Sequence, residues 1–313
     1  MSTMNLARQL ILRGSTSRWL SRLLSRRRFV QRAVQRFMPG EEMEEAVSAA
    51  GTVQNVGMRS ILTLLGESVL DRAAADDVVN HYETLIESIA GSGLSADLSV
   101  KPTHLGLDVG TDVVEAGLRT VVARAGAAGR LVVVDMEASE YVDDTLGLYR
   151  RIRADHQNVG VCLQSYLYRT EEDLESLLPL TPMIRLVKGA YRESADLAWP
   201  KKSDVDDAFM ARATRLLEAT RDDSGVRVAF GTHDERMIDG IRRKAADLGL
   251  ARDAFEIQML YGIGRDLQTS LAAEGYSVRI LISYGPNWFP WYMRRLAERP
   301  ANVWFMVRSM LSS

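Results

Sequence analysis

Short apolar runs alternate with longer stretches of helical period along most of the chain. Eight of these runs are mostly apolar without strict polar alternation, which is the pattern of parallel strands covered on both faces. They lie at residues 58–65, 97–101, 131–135, 159–164, 183–188, 226–231, 255–259 and 277–282. The pattern therefore predicts a parallel sheet.

Amphipathic stretches separate these runs. They lie at residues 112–124, 143–154, 171–178, 205–220, 235–248 and 267–273, and a last one lies at 288–299. Within 205–220, Phe209, Leu216 and Leu217 recur at spacings that a helix places on one side. Eight strand–helix units favour a closed (β/α)8 barrel of the TIM type, which needs about 250 residues, over an open sheet. We assign the barrel to residues 46–313 and a helical N-terminal arm to residues 1–45.

The fifth run continues into the segment 183–193, MIRLVKGAYRE, which places two cations, a tight turn and a phenol at one strand end. Side chains alternate along an extended chain, so Leu186 and the stem of Lys188 point to one face and Arg185 to the other. One interpretation is that both cations cap solvated backbone carbonyls. The other is that they belong to a cationic functional site.

Polar residues close most of the predicted strands, where the catalytic groups of a barrel enzyme project. These residues are Lys101, Asp135, Gln164, Arg185, Lys188, Thr232 and His233, with Gln258 inside the seventh strand. Each alone also fits a structural role, as an ion-pair partner, a satisfied amide or a helix N-terminal residue. Together, and with Arg294 and Arg295 of the last helix, they are rich in cations and predict an anionic ligand.

Composition and motifs exclude several classes of function. The 39 basic and 41 acidic residues give no reason to expect nucleic-acid binding. The four histidines lack metal-ligand spacing, and there is no P-loop, G-x-S-x-G elbow or G-x-G-x-x-G fingerprint. The single cysteine, Cys162, suits a reducing cytosol and is predicted to be a buried packing residue. The sequence has no run of about 18 apolar residues to span a membrane.

The first 40 residues contain nine arginines and no acidic residue. Such a segment could lie on anionic lipid as an amphipathic helix or imitate a mitochondrial presequence. Glu41, Glu42, Glu44 and Glu45 follow directly, so a basic helix packed against these acids is an equally supported alternative.

Five segments resemble the monofunctional bacterial proline dehydrogenases, which are FAD enzymes on a distorted (β/α)8 barrel. They are LGE at 65–67, VK at 100–101 with LGLD at 105–108, VDME at 134–137, RLVKGAY at 185–191 and RRLAERPAN at 294–302. The fourth and fifth are specific in combination, and all occur in family order across roughly residues 37–311. Three positions depart from the family pattern: Leu281 stands where Tyr is usual, Asp234 replaces Asn, and Pro102 replaces Leu.

The resemblance implies oxidation of L-proline to Δ1-pyrroline-5-carboxylate, the first step of proline catabolism to glutamate. Hydride would pass from substrate C5 to FAD N5, and electrons then to a membrane quinone. The resemblance assigns catalysis to Asp135 and Arg185, and substrate binding to Lys101, Arg294, Arg295, Tyr191 and Leu281. It assigns FAD binding to Met136, Gln164, Arg185, Lys188, Gly189, Ala190, Thr232 and His233. It also implies a cytoplasmic protein, peripheral on the inner face of the plasma membrane.

Three alternatives stay open. Leu281 in place of Tyr removes a packing face and a hydroxyl, so hydroxyproline or an N-alkylated cyclic amino acid is an alternative substrate. The strand-end Lys188 also fits a Schiff-base aldolase. The third alternative is a barrel without catalytic activity that acts at a membrane surface or as an interaction protein.

Overall fold

The computed structural model describes residue 34, residues 36–222 and residues 225–289. Eight strands form one closed parallel barrel in chain order. They are β1 (Arg59–Leu64), β2 (Ala96–Val100), β3 (Val132–Val134), β4 (Val159–Gln164), β5 (Met183–Val187), β6 (Arg227–Gly231), β7 (Glu256–Leu260) and β8 (Ser277–Tyr284). Each lies within two residues of its predicted bounds at either end, so the predicted (β/α)8 fold is confirmed.

Eight α-helices precede or follow these strands in the described part of the chain. They are α1 (Met43–Asn55), α2 (Arg72–Gly91), α3 (Thr111–Ala127), α4 (Val142–Asp155), α5 (Thr170–Leu177), α6 (Lys202–Arg221), α7 (Glu235–Asp247) and α8 (Arg265–Ala273). Helix α1 crosses the predicted boundary between residues 45 and 46, and the division into arm and barrel stays a prediction. Residues 1–33 of the arm and residues 290–299 of the last predicted helix lie outside the described residues.

Two of the helices that follow strands begin with a capping aspartate. Asp71 begins α2 by accepting a hydrogen bond from the backbone N–H of Ala74 at 2.9 Å. Asp234 begins α7 in the same way, with the N–H of Arg236 at 3.2 Å from its carboxylate. The loop after β6 therefore ends with a carboxylate at the rim.

The apolar faces of the helices cover the outside of the sheet. Phe209, Leu216 and Leu217 of α6 are fully buried, as their spacing predicted. Burial of such a side chain contributes about 1.5–3 kcal/mol to folding. The main hydrophobic core therefore lies between the sheet and the helices, outside the barrel interior.

The barrel interior is layered along its axis. Near the amino ends of the strands, buried Arg279 forms ion pairs with Asp97 and Glu256. An apolar layer follows, made of Ile61, Val133, Met183 and Ala229, with Leu281 packed against it. These layers fill the barrel at the amino ends of the strands, so access to its interior is from the carboxyl ends.

Between residues 34 and 289, in the ranges that the structure describes, no helix is both long and apolar enough to cross a bilayer.

Candidate active site

A cavity of about 650 Å³ opens at the carboxyl ends of the strands. This volume lies in the usual range of small-molecule and cofactor sites. Twelve of the predicted site residues line it, namely Lys101, Asp135, Met136, Gln164, Arg185, Lys188, Gly189, Ala190, Tyr191, Thr232, His233 and Leu281. The structure therefore brings these residues together, while their individual roles stay predictions. Arg294 and Arg295 lie outside the described residues.

A charge cluster of Lys101, Asp135 and Arg185 lies in the wall of this cavity. Lys101 Nζ donates to Asp135 Oδ2 at 2.9 Å, and Ser99 Oγ donates to Asp135 Oδ1 at 2.7 Å. Arg185 Nη2 donates to the same Oδ1 and, at 3.2 Å, to Ser99 Oγ. Arg185 is only 6 % exposed, so it does not cap solvated carbonyls. Two cations on one carboxylate give the cluster a net positive charge, which favours an anionic ligand.

The three groups of this cluster remain charged at neutral pH. Burial alone would raise the pKa of Asp135, but the cations of Lys101 and Arg185 outweigh burial and lower it to about 2. Burial also opposes the charges of the two cations, yet Asp135 raises the pKa of both above their ordinary values. Asp135 is therefore a permanent carboxylate and a weak proton acceptor at neutral pH.

We expect the Asp135 carboxyl to stay ionised from about pH 8 down to about pH 4. Its pKa in the folded protein lies below the ordinary 3.8, so its ion pairs contribute stability that is present above pH 3.8. This stability is lost as the pH falls through about 2. The carboxyl carbon shift of Asp135 in an acid titration by nuclear magnetic resonance measures this. A midpoint above about pH 4 would contradict the cluster as described.

Lys188 is held at the rim by two carboxylates. Its Nζ donates to Asp206 Oδ1 of α6 at 2.5 Å and to Asp234 Oδ2 at 3.0 Å. Lys202 also donates to Asp206, and Arg236 lies 3.6 Å from both carboxylates. Lys188 thus joins the end of β5 to the starts of α6 and α7, and its ammonium is engaged by side chains rather than by backbone carbonyls.

The chain leaves β5 through a turn that requires glycine. Gly189 has φ +123°, which side chains of L residues rarely adopt. A Cβ atom at this position would lie 2.2 Å from Cδ1 of the Tyr166 ring. The glycine therefore allows the turn to pack closely against Tyr166, and the main-chain atoms of Gly189 line the cavity.

Two of the residues that line the cavity are buried glutamines. Gln164 Nε2 donates to the carbonyl oxygen of Met136 at 3.4 Å, and Gln258 Nε2 donates to Glu256 Oε2 at 3.1 Å. The Oε1 atoms of both glutamines have no hydrogen-bond partner among the described residues. A buried acceptor without a partner costs about 1–3 kcal/mol, so a ligand with N–H or O–H groups would be favoured here.

Two contacts fix the loop after β6 beside the cavity. The backbone N–H of Leu260 donates to His233 Nε2 at 3.2 Å, so the neutral imidazole carries its hydrogen on Nδ1. The backbone N–H of Asp234 donates to Thr232 Oγ1 at 3.1 Å. Thr232 and His233 are thereby placed by main-chain groups of β7 and of their own loop.

Leu281 lies at the floor of the cavity. Its backbone pairs with Ile61 of β1 and with Leu260 of β7. Its side chain both packs against the apolar layer and lines the cavity. The floor is therefore aliphatic at the position where the sequence departs from the family pattern.

Sequence reasoning missed several residues of the site. Thr63 and Ser283 line the cavity from β1 and β8, and the two-residue period of β8 from Leu281 to Ser283 was an available signal. Cys162 is buried, as predicted, but it also lines the cavity, and the strand register places it beside Arg185. Asp206 gave no signal, because it reads as a solvated position of a helix. In the described ranges no cluster of three or more His, Cys, Asp or Glu is arranged to hold a metal ion.

A closed parallel barrel with a charged cavity at the carboxyl ends of its strands defines a (β/α)8-barrel enzyme. The sequence model of the family described as proline dehydrogenase matches residues 46–308. The chain is 39% identical over 282 residues to the proline dehydrogenase of Deinococcus radiodurans, covering 88% of this chain and 89% of that protein. It is 36% identical over 278 residues to proline dehydrogenase 2 of Bacillus subtilis subsp. natto, covering 89% and 90%. The chain therefore belongs to the proline dehydrogenase family, and the prediction of an oxidoreductase is confirmed.

The solved structures agree on the fold. Proline utilization A of Bdellovibrio bacteriovorus, inactivated by N-propargylglycine, superposes with a TM-score of 0.80 at 24% identity. The match covers 86% of this chain and 33% of that one. This chain thus spans about a third of the length of that protein, and the likeness concerns the barrel.

Proposed function

We propose that this protein oxidises L-proline to Δ1-pyrroline-5-carboxylate with FAD as cofactor. The observation that carries the proposal is the buried cluster of Lys101, Asp135 and Arg185 inside the cavity of a barrel of this family. Its net positive charge suits an amino acid presented by its carboxylate. Named relatives of similar length are proline dehydrogenases.

Among the residues that the structure describes, Lys101 is the one that we propose binds the substrate carboxylate. Arg294 and Arg295 are proposed to bind the same carboxylate. A carboxylate held away from the reacting carbon fixes the orientation of the ring, which lowers the entropic part of the barrier. Tyr191 and Leu281 form the wall and the floor against which the ring packs. The amine must be neutral before it is oxidised, and Asp135, with a pKa of about 2, is too weak a base to take its proton. Asp135 instead holds Lys101 and Arg185 in place.

The cavity residues fit FAD. Gly189 lines the cavity with main-chain atoms, and the Oε1 atom of Gln164, which has no partner among the described residues, would accept a hydrogen bond from an N–H group of the cofactor. The N-terminus of α7, with Arg236 and Lys188 near it, suits the phosphates of the cofactor. The proposed binding set is Met136, Gln164, Arg185, Lys188, Gly189, Ala190, Thr232 and His233. When bound, FAD supplies the two-electron acceptor that amino-acid side chains do not provide. Arg185 would contribute a fixed positive charge that stabilises the negative charge of the reduced cofactor.

Product analysis tests this function. The FAD-loaded protein with L-proline and a soluble quinone analogue should form the cyclic imine, detected by mass spectrometry as the loss of two hydrogens. The methyl ester of L-proline is the matched control substrate, because it keeps the ring and lacks the carboxylate charge. We expect its kcat/KM to be at least about 100-fold lower. Equal rates for ester and acid would contradict the carboxylate-binding role of Lys101.

Leu281 supports a second group of substrates. Its aliphatic floor makes no hydrogen bond that would select one ring substituent, so hydroxyproline and N-alkylated cyclic amino acids belong in the same assay. We expect L-proline to have the highest kcat/KM, since a hydroxyl placed on an apolar floor loses its water without replacement. A higher kcat/KM for one of the analogues would reassign the substrate.

The Schiff-base alternative rests on Lys188. An aldolase lysine must act as a free amine, whereas the Lys188 ammonium is engaged by Asp206 and Asp234. This arrangement favours a structural or phosphate-binding cation. Borohydride reduction in the presence of a carbonyl substrate would label Lys188 in an aldolase and should leave it unlabelled here.

We propose a membrane quinone as the physiological electron acceptor, with the protein cytoplasmic and peripheral on the inner face of the plasma membrane. The arginine-rich residues 1–40 support contact with anionic lipid. The exposed side chains of Tyr168, Leu197 and Trp199 add an apolar patch near the cavity mouth. The rings of Tyr168 and Trp199 pack edge to face, with their centroids 4.6 Å apart.

Flotation with anionic vesicles tests this contact. A chain that begins at Glu41 should lose most of its association, and Trp199→Ala in the full chain should lose part of it. Unchanged association of the shortened chain would remove the arm from the proposal.

A further inference from the structure

Three loops around the cavity mouth are joined in series by two carboxylates. Glu137, in the loop after β3, accepts from the backbone N–H of Thr103 at 2.9 Å and from its Oγ1 at 2.6 Å. Glu193, in the loop after β5, accepts from the backbone N–H of Ser139 at 2.8 Å and from its Oγ at 2.5 Å. Each carboxylate thus receives one main-chain and one hydroxyl donor from another loop, and the second link passes over the position of β4. We call the second of these links, between Glu193 and Ser139, the clasp.

These contacts lie next to residues that line the cavity. Thr103 follows Lys101 by two residues, Glu137 follows Asp135 by two, and Glu193 follows Tyr191 by two. A shift of any of these loops would therefore move a cavity residue with it.

The two links differ in burial. Thr103 and Glu137 are 1% and 3% exposed, and Thr103 also accepts from the backbone N–H groups of Ser68 and Val69. Glu193 and Ser139 are only partly buried. The Thr103–Glu137 link is thus part of the fixed frame. The clasp is the link that solvent reaches, and it holds the segment that carries Gly189, Ala190 and Tyr191.

The chain after β5 is held at two points, one on either side of the residues that line the cavity. Gly189 packs against the Tyr166 ring, and Tyr166 N–H donates to the carbonyl oxygen of Lys188 at 2.9 Å. The start of the loop is therefore fixed by the segment that follows β4, and the clasp fixes the loop again just beyond Tyr191. Between these two points the main chain faces the cavity.

We propose that Glu193 is a positioning residue that holds Gly189, Ala190 and Tyr191 against the cavity through its carboxylate contacts with Ser139. The clasp itself is independent of which ligand binds. Its effect on ligand binding rests on the proposed function, in which this segment contacts FAD and the substrate.

Glu193→Gln tests the proposal with little change in shape. In the protein without FAD, the backbone amide of Ser139 should exchange with deuterium about tenfold faster, because its charged acceptor is lost. The Kd for FAD and the KM for L-proline should each rise about tenfold, while kcat at saturation changes less than about threefold. Ser139→Ala removes only the hydroxyl donor and should give smaller changes of the same sign, which keeps the test open if Glu193→Gln folds poorly.

Glu175→Gln is the matched control, because Glu175 also receives two hydrogen bonds, from Arg215 on the outer helices, but lies away from the cavity lining. It should leave all four quantities at wild-type values. Wild-type exchange at Ser139 in Glu193→Gln would overturn the clasp. Faster exchange with unchanged Kd and KM would overturn the positioning role. Absence of FAD binding by the wild-type protein would instead refute the proposed function, and the exchange measurement would still decide on the clasp.

Discussion

Asp135→Asn is expected to lower kcat/KM for L-proline by about 100- to 1000-fold and the free energy of unfolding by about 3–5 kcal/mol. Asparagine has nearly the same shape, so the change removes charge and little else. Lys101 and Arg185 would then lie close together in the barrel without the carboxylate that both contact. Their repulsion should displace the groups that bind the substrate carboxylate and the cofactor.

Asp97→Asn is the matched control for this prediction. Asp97 pairs with Arg279 at the opposite end of the barrel, and the side-chain exposures of this pair, 14% and 5%, are close to the 13% and 7% of Asp135 and Arg185. The control should lose less stability, about 1–3 kcal/mol, because Arg279 loses its contact with Asp97 but keeps its ion pair with Glu256. Its kcat/KM should remain within about threefold of wild type, since Asp97 does not line the cavity. Equal losses of kcat/KM in both variants would show that Asp135 acts through stability alone.

Gly189→Ala is expected to raise the Kd for FAD by at least about 10- to 100-fold. The φ of +123° is unfavourable for alanine, and the new Cβ would lie 2.2 Å from the Tyr166 ring. The turn can relieve this contact only by moving toward the cavity or by displacing Tyr166. Both movements change the surface that faces the ligand. Fluorescence or absorbance titration of the FAD-free protein measures the Kd.

Gly249→Ala separates this effect from backbone strain in general. Gly249 also has a positive φ, of +71°, but no atom lies within 4 Å of a Cβ built there. Its replacement should cost about 1–2 kcal/mol of stability and leave the Kd for FAD unchanged. Wild-type FAD binding by Gly189→Ala would contradict the proposed role of the turn in FAD binding.

The barrel could be predicted from the sequence because its strands are buried on both faces. Each strand is a short apolar run, and polar residues follow where the chain reaches the open end, as at Lys101 and Asp135. The bounds of the first two helices, α1 and α2, were not predicted. Helix α1 buries small alanines, Ala46, Ala49 and Ala50, rather than a stripe of large apolar residues.

The partners of the site residues could not be predicted, because they depend on contacts between distant parts of the chain. Nothing in the sequence marks Ser99 as a site residue, yet it donates to Asp135 from the adjacent strand β2. Asp206 lies 18 residues after Lys188 and reads as a helix surface position. The clasp likewise joins Ser139 to Glu193 over 54 residues. Period and spacing locate the wall of a barrel cavity, whereas the loops that close around it meet only in three dimensions.

Anaerobic addition of L-proline to the FAD-loaded protein, followed by visible absorbance, tests the central claim most directly. We predict that the purified protein is yellow and that proline bleaches its flavin absorbance without any other reagent. A protein that binds no FAD, or one whose bound flavin is reduced by neither proline nor another cyclic amino acid, would contradict the account.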